Sequence, residues 1–173
     1  MIYDLHCHSY YSDGDLSPNE VIALAEEQGV THLALTDHDT LAGLEEAKLA
    51  AQQSEISLIS GVEFSCSWEG QLLHVLGLNI DTGNLALQAL TQQNQRRRLD
   101  RAEQMHRDFE KHNIHLRDRV DALLNERSVP TRPHFAQALI DSGYAKNKKQ
   151  AFKRYLVRGK PGYIPMQWPN LEE

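Results

Sequence analysis

Residues 2–7 alternate in character, the period of a strand with one face turned inward, and the polar stretch "SYYSDGDLS" that follows reads as a loop. Ser17, Pro18 and Glu20 then supply an N-cap, a proline at the first helical position and a capping-box acid. They predict a helix to about Gln28, with Gly29 just past its end. Residues 30–36, "VTHLALT", form the next predicted strand. Thr40 can cap a second helix to about Gln53, in which Leu41, Leu44 and Leu49 fall roughly on one stripe, and "ISLIS" is a third strand. This βαβαβ order implies parallel strands. "FSCSW", the turn dipeptide Glu69-Gly70 and "QLLHVLGLNI" then predict a hairpin.

Beyond residue 83 the pattern changes. The Gln- and Arg-rich segment from Asn84 to about Asn113 reads as one long helix, followed by shorter helices near 117–126, 133–142 and 147–157, with no further clear strand. At the end, "PNLEE" sets Asn170 as an N-cap and Glu173 at the third helical position, where the sequence given stops. A parallel barrel needs about 200–250 residues to close. Four strands in the first 80 residues therefore fit an unfinished sheet, and the expectation is an N-terminal portion of a longer protein. The expected organisation is a barrel part over 1–83, a basic helical insertion over 84–160 and a return to the barrel over 161–173.

Composition adds bounds. With 173 residues, 40% hydrophobic and 24% charged, the chain is an ordinary globular one. It holds no apolar run near the roughly 20 residues of a membrane span and opens without the features of a signal peptide. The expectation is a cytoplasmic protein with no membrane contact and no obligate protein partner. Cys7 and Cys66 are too few for a disulfide framework, and no C-x-x-C pair exists for a thiolate zinc site. The net charge of −6 conceals an asymmetry. Residues 1–95 hold one basic residue, Lys48, against 14 acidic ones, whereas residues 96–160 hold 17 basic against 8 acidic. Such a basic segment is either a solvated helical surface laced with i,i+4 pairs or a polyanion-binding face.

The chemistry concentrates at predicted strand ends. Side chains two apart on a strand point the same way, so His6 and His8 share a face while Cys7 turns to the other. With Asp13 in the loop after them, they make an N/O ligand cluster. "LTDHDT" sets His38 between Asp37 and Asp39 at the end of the second strand, where the aspartates suit orienting or capping roles better than ligation. "SGVEFS" supplies Glu63 after a glycine that permits close backbone approach. His74 sits within "LLHVLGL", where a buried neutral histidine is the plain alternative, and His134, in "TRPHFA", could simply cap a helix. Consecutive parallel strands bring their carboxyl ends to one mouth, and that convergence argues against coincidence. His32, His106, His112 and His115 lack such placement.

D-L-H-x-H-S, an Asp shortly after, T-D-H-D, G-x-E and a later His in a hydrophobic strand occur here in order. In this the chain resembles the PHP family, the polymerase and histidinol phosphatase superfamily of metal-dependent phosphoesterases. "RPHFAQAL" and "KRYL" after the helical segment resemble one branch, the 5′-3′ exoribonucleases and 3′,5′-nucleotide bisphosphate phosphatases. The resemblance implies an α/β fold, a distorted (β/α)7 barrel, here incomplete and with a helical insertion. It implies up to three divalent ions, manganese foremost, with zinc or iron as alternatives. His6 and His8 would hold one ion, and Asp13 and His38 a second. Glu63 would bridge the first to a third held by His74 and His134. Asp13, His38 and Glu63 take the catalytic assignment. The family's further His-Pro and later Asp-x-His motifs do not occur here.

The chemistry implied is hydrolysis of phosphate esters of nucleotides or of 5′-monophosphorylated RNA. Arg132, two residues before His134, is placed to grip a phosphate, with Arg154 and Lys160 as further substrate contacts. Lys153 and Arg158 accompany them, and Tyr155 or Tyr163 is available for base stacking, unless Tyr155 is a core residue. The alternatives are a histidinol-phosphate-type phosphatase and a non-catalytic PHP binding module.

Overall fold

The computed structural model describes residues 1–124 and 128–172. Two compact units are present, one of Met1–Gln95 with Gln167–Glu173, the other of Arg96–Met166. The first contains β1 (Tyr3–Cys7), α1 (Pro18–Glu27), β2 (His32–Leu35), α2 (Leu44–Ala51), β3 (Ser57–Trp68) and β4 (Gln71–Leu78). It also holds the start of α3 (Leu85–Lys111). The four strands form one sheet in the order β1-β2-β3-β4. The β1–β2 and β2–β3 pairs are parallel and the β3–β4 pair is antiparallel.

The capping box of α1 forms as its sequence dictates. Ser17 Oγ accepts from the Glu20 N–H at 3.2 Å, while the Glu20 carboxylate accepts from the Ser17 N–H at 2.8 Å. Ile22 and Ala25 of α1 pack with Leu33 and Ile56, while Leu35, Leu44 and Ala47 make a second small core with Leu41 and Leu58 beside them. Cys7 touches both, as its strand parity requires.

The structure corrects three expectations here. "ISLIS" and "FSCSW" are not separate strands but fall in the 12-residue β3, paired parallel with β2 over Ser57–Ser60 and antiparallel with β4 over Gly61–Trp68. Gly61 allows this crowding. A Cβ there would lie 2.7 Å from Thr36 Cγ2 and 3.0 Å from Leu35 O. Secondly, Thr40 does not cap α2. Its hydroxyl instead accepts from the Ala42 N–H, and Gly43 precedes the helix, because Asp37 and Asp39 first make contacts to the loop after β1 and to β3. Thirdly, Asn170 does not open a helix but bridges to Ser67 in parallel, with Ser67 N–H donating to Pro169 O at 2.8 Å. Glu173 lies outside the described residues. The hairpin turn follows the sequence: Glu69 and Gly70 take φ of 48° and 76°, the paired positive values of a two-residue turn that matches strand twist.

The second unit is helical. Most of α3 joins α4 (Arg117–Asp121), α5 (Arg132–Asp141), α6 (Lys148–Ala151) and a π-helical turn (Phe152–Leu156). Met105, Phe109, Leu116, Phe135, Leu139 and Leu156 are among its core residues. The helix expected over 117–126 stops at Asp121, and positions 125 and 126 lie outside the described residues. The last helix, expected over 147–157, begins as an α-helix and widens to π. No described helix is long and apolar enough to cross a membrane.

Candidate metal centre

The end of β1, the segment after β2, the middle of β3 and the middle of β4 deliver the polar groups. Backbone pairing fixes their register. Glu63 N–H donates to Asp37 O at 3.2 Å and Asp39 N–H to Glu63 O at 3.0 Å, so His38 stands opposite Glu63 in a parallel bridge. Asp39 takes a φ of 53° to follow this path. On the other side of β3, Ser65 faces His74, which sets the imidazole diagonal to Glu63. β1 departs from regular register between Asp4 and Cys7, the kind of irregularity that re-aims side chains near sites.

Glu63 is the hub. Its side chain is only 6% exposed, and Oε2 lies 2.8 Å from His6 Nε2, 3.0 Å from His8 Nε2 and 3.7 Å from His38 Nδ1. Its Oε1 lies 3.3 Å from His74 Nδ1. Asp13 places one oxygen 3.8 Å from His8 Nδ1 and the other 3.8 Å from His38 Nε2. The His8 and His38 rings stack at 4.7 Å, and His6 and His74 meet them edge-on at 5.0 and 4.9 Å. Three overlapping triads result: His6–His8–Glu63, His8–Asp13–His38 and His38–Glu63–His74. In each, one ligand atom per residue lies within 4.8 Å of the others.

This donor set fits divalent ions. Imidazole nitrogens and carboxylate oxygens suit manganese, iron or zinc, and no thiolate joins them. The His6 and His8 Nε2 atoms also lie 3.1 Å apart, close enough for one divalent ion to take both as ligands. His6, His8, Asp13, His38, Glu63 and His74 are thus brought together. His74 is not the buried core histidine its apolar run allowed, since its side chain is 38% exposed. His134 belongs to the second unit, where its Nδ1 accepts from the Thr131 N–H at 3.0 Å at the start of α5.

Supports around the cluster were only partly visible in the sequence. Asp37 does not orient an imidazole directly. Its carboxylate accepts from Ser9 N–H at 2.7 Å and from the Ser9 and Ser12 hydroxyls at 2.6 Å each, clamping the loop that carries Asp13. Burial pushes this carboxyl up, opposed by the bonds from Ser12 and Ser9. Asp39 accepts from Ser65 N–H at 2.9 Å and from Asn94 Nδ2 at 2.7 Å, tying β3 to the first turns of α3. Nothing in local pattern marks Ser9, Ser12 or Asn94; their partners are 28, 25 and 55 positions away. The Cys7 thiol donates to Ala34 O, and burial pushes it up to about 12.

In the second unit, three arginines interact. Burial first, then the charges of Arg132 and Arg98, pulls Arg101 down to about 10, and its buried Nε has no hydrogen-bond partner among the described residues. The Arg132 guanidinium lies 5.9 Å over the Phe152 ring. Arg154 sits 5.3 Å over Tyr155, which packs against the core and donates to Tyr144 O, so Tyr155 is a core residue. Lys160 is exposed.

A largely parallel sheet that gathers imidazoles and carboxylates from the end of β1, the segment after β2 and the middle of β3 and β4 is that of a metal-binding α/β barrel domain. The profile of the PHP domain family matches residues 4–156, and the chain belongs to this family. It is 44% identical over 170 residues to a 5′-3′ exoribonuclease of Haemophilus influenzae, covering 98% of this chain and 61% of that protein. It is 42% identical over 171 residues to a 3′,5′-nucleoside bisphosphate phosphatase of Chromobacterium violaceum, covering 98% and 60%. An amidohydrolase structure from Chromobacterium violaceum, solved with bound sulfate and no metal, superposes with a TM-score of 0.93 at 42% identity, over 99% of this chain and 61% of that one. The fold is therefore the expected distorted barrel type, of which this chain contributes four strands and a helical insertion. The chain spans about 60% of the length of the curated relatives it matches.

Proposed function

We propose that this domain belongs to a metal-dependent phosphoesterase that hydrolyses phosphate esters of nucleotides or of 5′-monophosphorylated RNA. The observation that carries the reading is the set of three ligand triads sharing His8, His38 and Glu63. Divalent ions held there, manganese foremost, supply Lewis acidity toward a phosphoryl oxygen and lower the pKa of an attacking water. In this reading His6 and His8 hold one ion, Asp13 and His38 a second, and Glu63 is shared with a third on His74 and His134. Glu63, anchored in β3, fixes the spacing between positions, while Asp13 spans His8 and His38 from the loop. Asp13, His38 and Glu63 therefore orient the reacting groups. Five imidazole ligands, which bring no negative charge, and two carboxylates would leave bound dications under-neutralised, which favours an anionic ester.

Arg132 with Arg98 and Arg101 supplies the phosphate grip, and Arg154 and Lys160 add contacts to the substrate. Burial, then the charges of Arg132 and Arg98, disfavours the Arg101 guanidinium, and an anion beside it would relieve that cost. Similarity to an exoribonuclease and a bisphosphate phosphatase supports a nucleotide over a small amino-alcohol phosphate. A nucleotide or RNA substrate also fits a cytoplasmic location.

The test is turnover by the protein at its natural length with Mn2+ and three substrates: a 5′-monophosphorylated oligoribonucleotide, a 3′,5′-bisphosphonucleotide and histidinol phosphate. Hydrolysis of the third alone overturns the nucleotide reading. Metal binding without any turnover turns the domain into a binding module. Arg132→Ala should raise KM for 5′-phosphorylated substrates about tenfold or more, consistent with one lost charge-assisted bidentate contact, and an unchanged KM removes the gripping role.

A further inference from the structure

The buried positions of α3 include Thr91, Asn94, Arg98, Ala102, Met105 and Phe109, spaced three or four apart as one face of a helix requires. From Ala102 onward this stripe is apolar and joins the core of the helical unit. Its start is polar. Thr91 serves its own helix, its hydroxyl donating to Gln88 O at 2.8 Å. Asn94, with no exposed surface, reaches across to other segments instead: its Nδ2 donates to Asp39 Oδ1 at 2.7 Å and to Ser65 O at 3.1 Å. Gln95 follows suit, donating from Nε2 to Asp39 O at 3.2 Å. A carboxamide is costly to bury unless such bonds compensate it, so the position of these acceptors decides what the residue is for.

Both acceptors belong to residues that frame ligands. Asp39 follows His38 directly and holds a left-handed φ of 53°, a conformation that a residue with a side chain keeps where its surroundings over-determine it. The Asp39 N–H donates to Glu63 O, its carboxylate accepts from Ser65 N–H and Asn94, and its carbonyl accepts from Gln95. Ser65 lies two residues beyond Glu63 and is paired with His74 across β3 and β4. The backbone supports of His38, Glu63 and His74 therefore meet at one side chain. The other two triads draw two of their three members from the end of β1 and the loop after it. An aspartate at position 94 would set oxygen against the Asp39 carboxylate and Ser65 O, and a leucine would leave both acceptors without these donors.

We infer that Asn94, with Gln95 beside it, is a positioning residue of the metal centre: through Asp39 and Ser65 it holds His38, Glu63 and His74 at the spacing that binds one ion. The inference rests on the metal-dependent reading above but makes a separate claim. It predicts that the affinity of this one position is set from α3.

The experiment uses the protein at its natural length. Mn2+ binding is followed by calorimetric titration, Co2+ absorption reports ligand geometry, and urea unfolding in EDTA reports stability. Asn94→Leu, close in volume but without donors, should weaken one ion about tenfold, the low end of the loss when an outer support of a metal site is removed, and should change the Co2+ spectrum. Gln95→Ala, at a half-buried position, should weaken the same ion about threefold, the value of one neutral hydrogen bond. Thr91→Ala, on the same buried stripe, should leave affinities and spectrum as in the parent, whatever it does to unfolding. In a His74→Ala background, where that ion has already lost a ligand, Asn94→Leu should change binding of the remaining ions by less than about twofold. A merely structural role would give the same loss there as in the parent. Parental affinity and spectrum in Asn94→Leu overturn the inference, as does an equal loss in the His74→Ala background or in Thr91→Ala. Should Asn94→Leu fail to fold, Gln95→Ala decides, and parental affinity in it overturns the inference. The expected pattern in a protein that hydrolyses no nucleotide sinks the enzymatic reading and leaves the positioning role standing, whereas a parent that takes up no Mn2+ sinks both.

Discussion

Asp37 offers the sharpest test of how the loop after β1 is held. Its carboxylate receives three hydrogen bonds at 2.6–2.7 Å, from Ser9 N–H, Ser9 Oγ and Ser12 Oγ. Bonds to a charged group are worth about 1.5–3 kcal/mol each, but Asp37 is 2% exposed, and burial of the charge opposes them, which is why the carboxyl is raised. The two terms partly cancel. Asp37→Asn keeps the shape and one acceptor oxygen while removing the charge, and should cost only about 1–2 kcal/mol. Asp37→Ala strands a buried N–H and two hydroxyls at about 1–3 kcal/mol apiece, less what the hydroxyls recover by rotating, so a loss of about 3–5 kcal/mol follows. Urea unfolding in EDTA measures both. Mn2+ stoichiometry supplies the functional readout, because the clamped loop carries Asp13. Asp37→Asn should retain every ion, whereas Asp37→Ala should lose the one at His8–Asp13–His38 and keep the one at His38–Glu63–His74. An alanine variant within about 1 kcal/mol of the parent, with full metal content, would refute the clamp.

Gly61→Ala should destabilise by about 1–3 kcal/mol through overpacking against Thr36 Cγ2 and Leu35 O, and weaken metal binding by displacing Glu63, seen by calorimetric titration. Glu63→Gln should abolish binding at the two triads that use it, while leaving the His8–Asp13–His38 ion, read by metal analysis after dialysis. His106 is buried beside Phe135, and burial, followed by the charge of Arg117, holds its pKa below the ordinary value. A depressed histidine contributes stability above the unfolded pKa of about 6.5 and loses it as pH falls through the folded value. Unfolding midpoints should therefore drop from pH 7.5 to pH 5, and His106→Gln should shrink that drop. With Cys7 pushed up to about 12 and Cys66 buried, neither thiol should react with Ellman's reagent at pH 8 until the chain is unfolded.

Much of this site was legible because His6, His8 and His38 end or follow strand-like runs and Glu63 follows "ISLIS", where period and spacing suffice, although the structure sets Glu63 and His74 within longer strands. The strand period separates Cys7 from His6 and His8, and His38 and Glu63 come shortly after the apolar runs of β2 and early β3. What stayed hidden depends on pairings between distant segments. The union of "ISLIS" with "FSCSW" into one strand is decided by β4 on one side and β2 on the other, not by residues 56–68 themselves. The start of α2 is set by Asp39 and Asp37 reaching β3 and the β1 loop, which overrides the capping propensity of Thr40. The arginine group near α5 joins residues about 30 positions apart, and only its tertiary arrangement separates it from the exposed lysines near α6.

Glu63 is held from both sides, by a parallel bridge to His38 and an antiparallel pairing with Leu76. Its backbone is thus paired along both edges, whereas Asp13 comes from a loop. An ion entering meets one immobile oxygen donor and several that can settle around it. Size discrimination among dications then depends less on a fixed cage than on how far the looser ligands must travel, so exchange of one metal for another should shift Asp13 while Glu63 stays where β3 puts it.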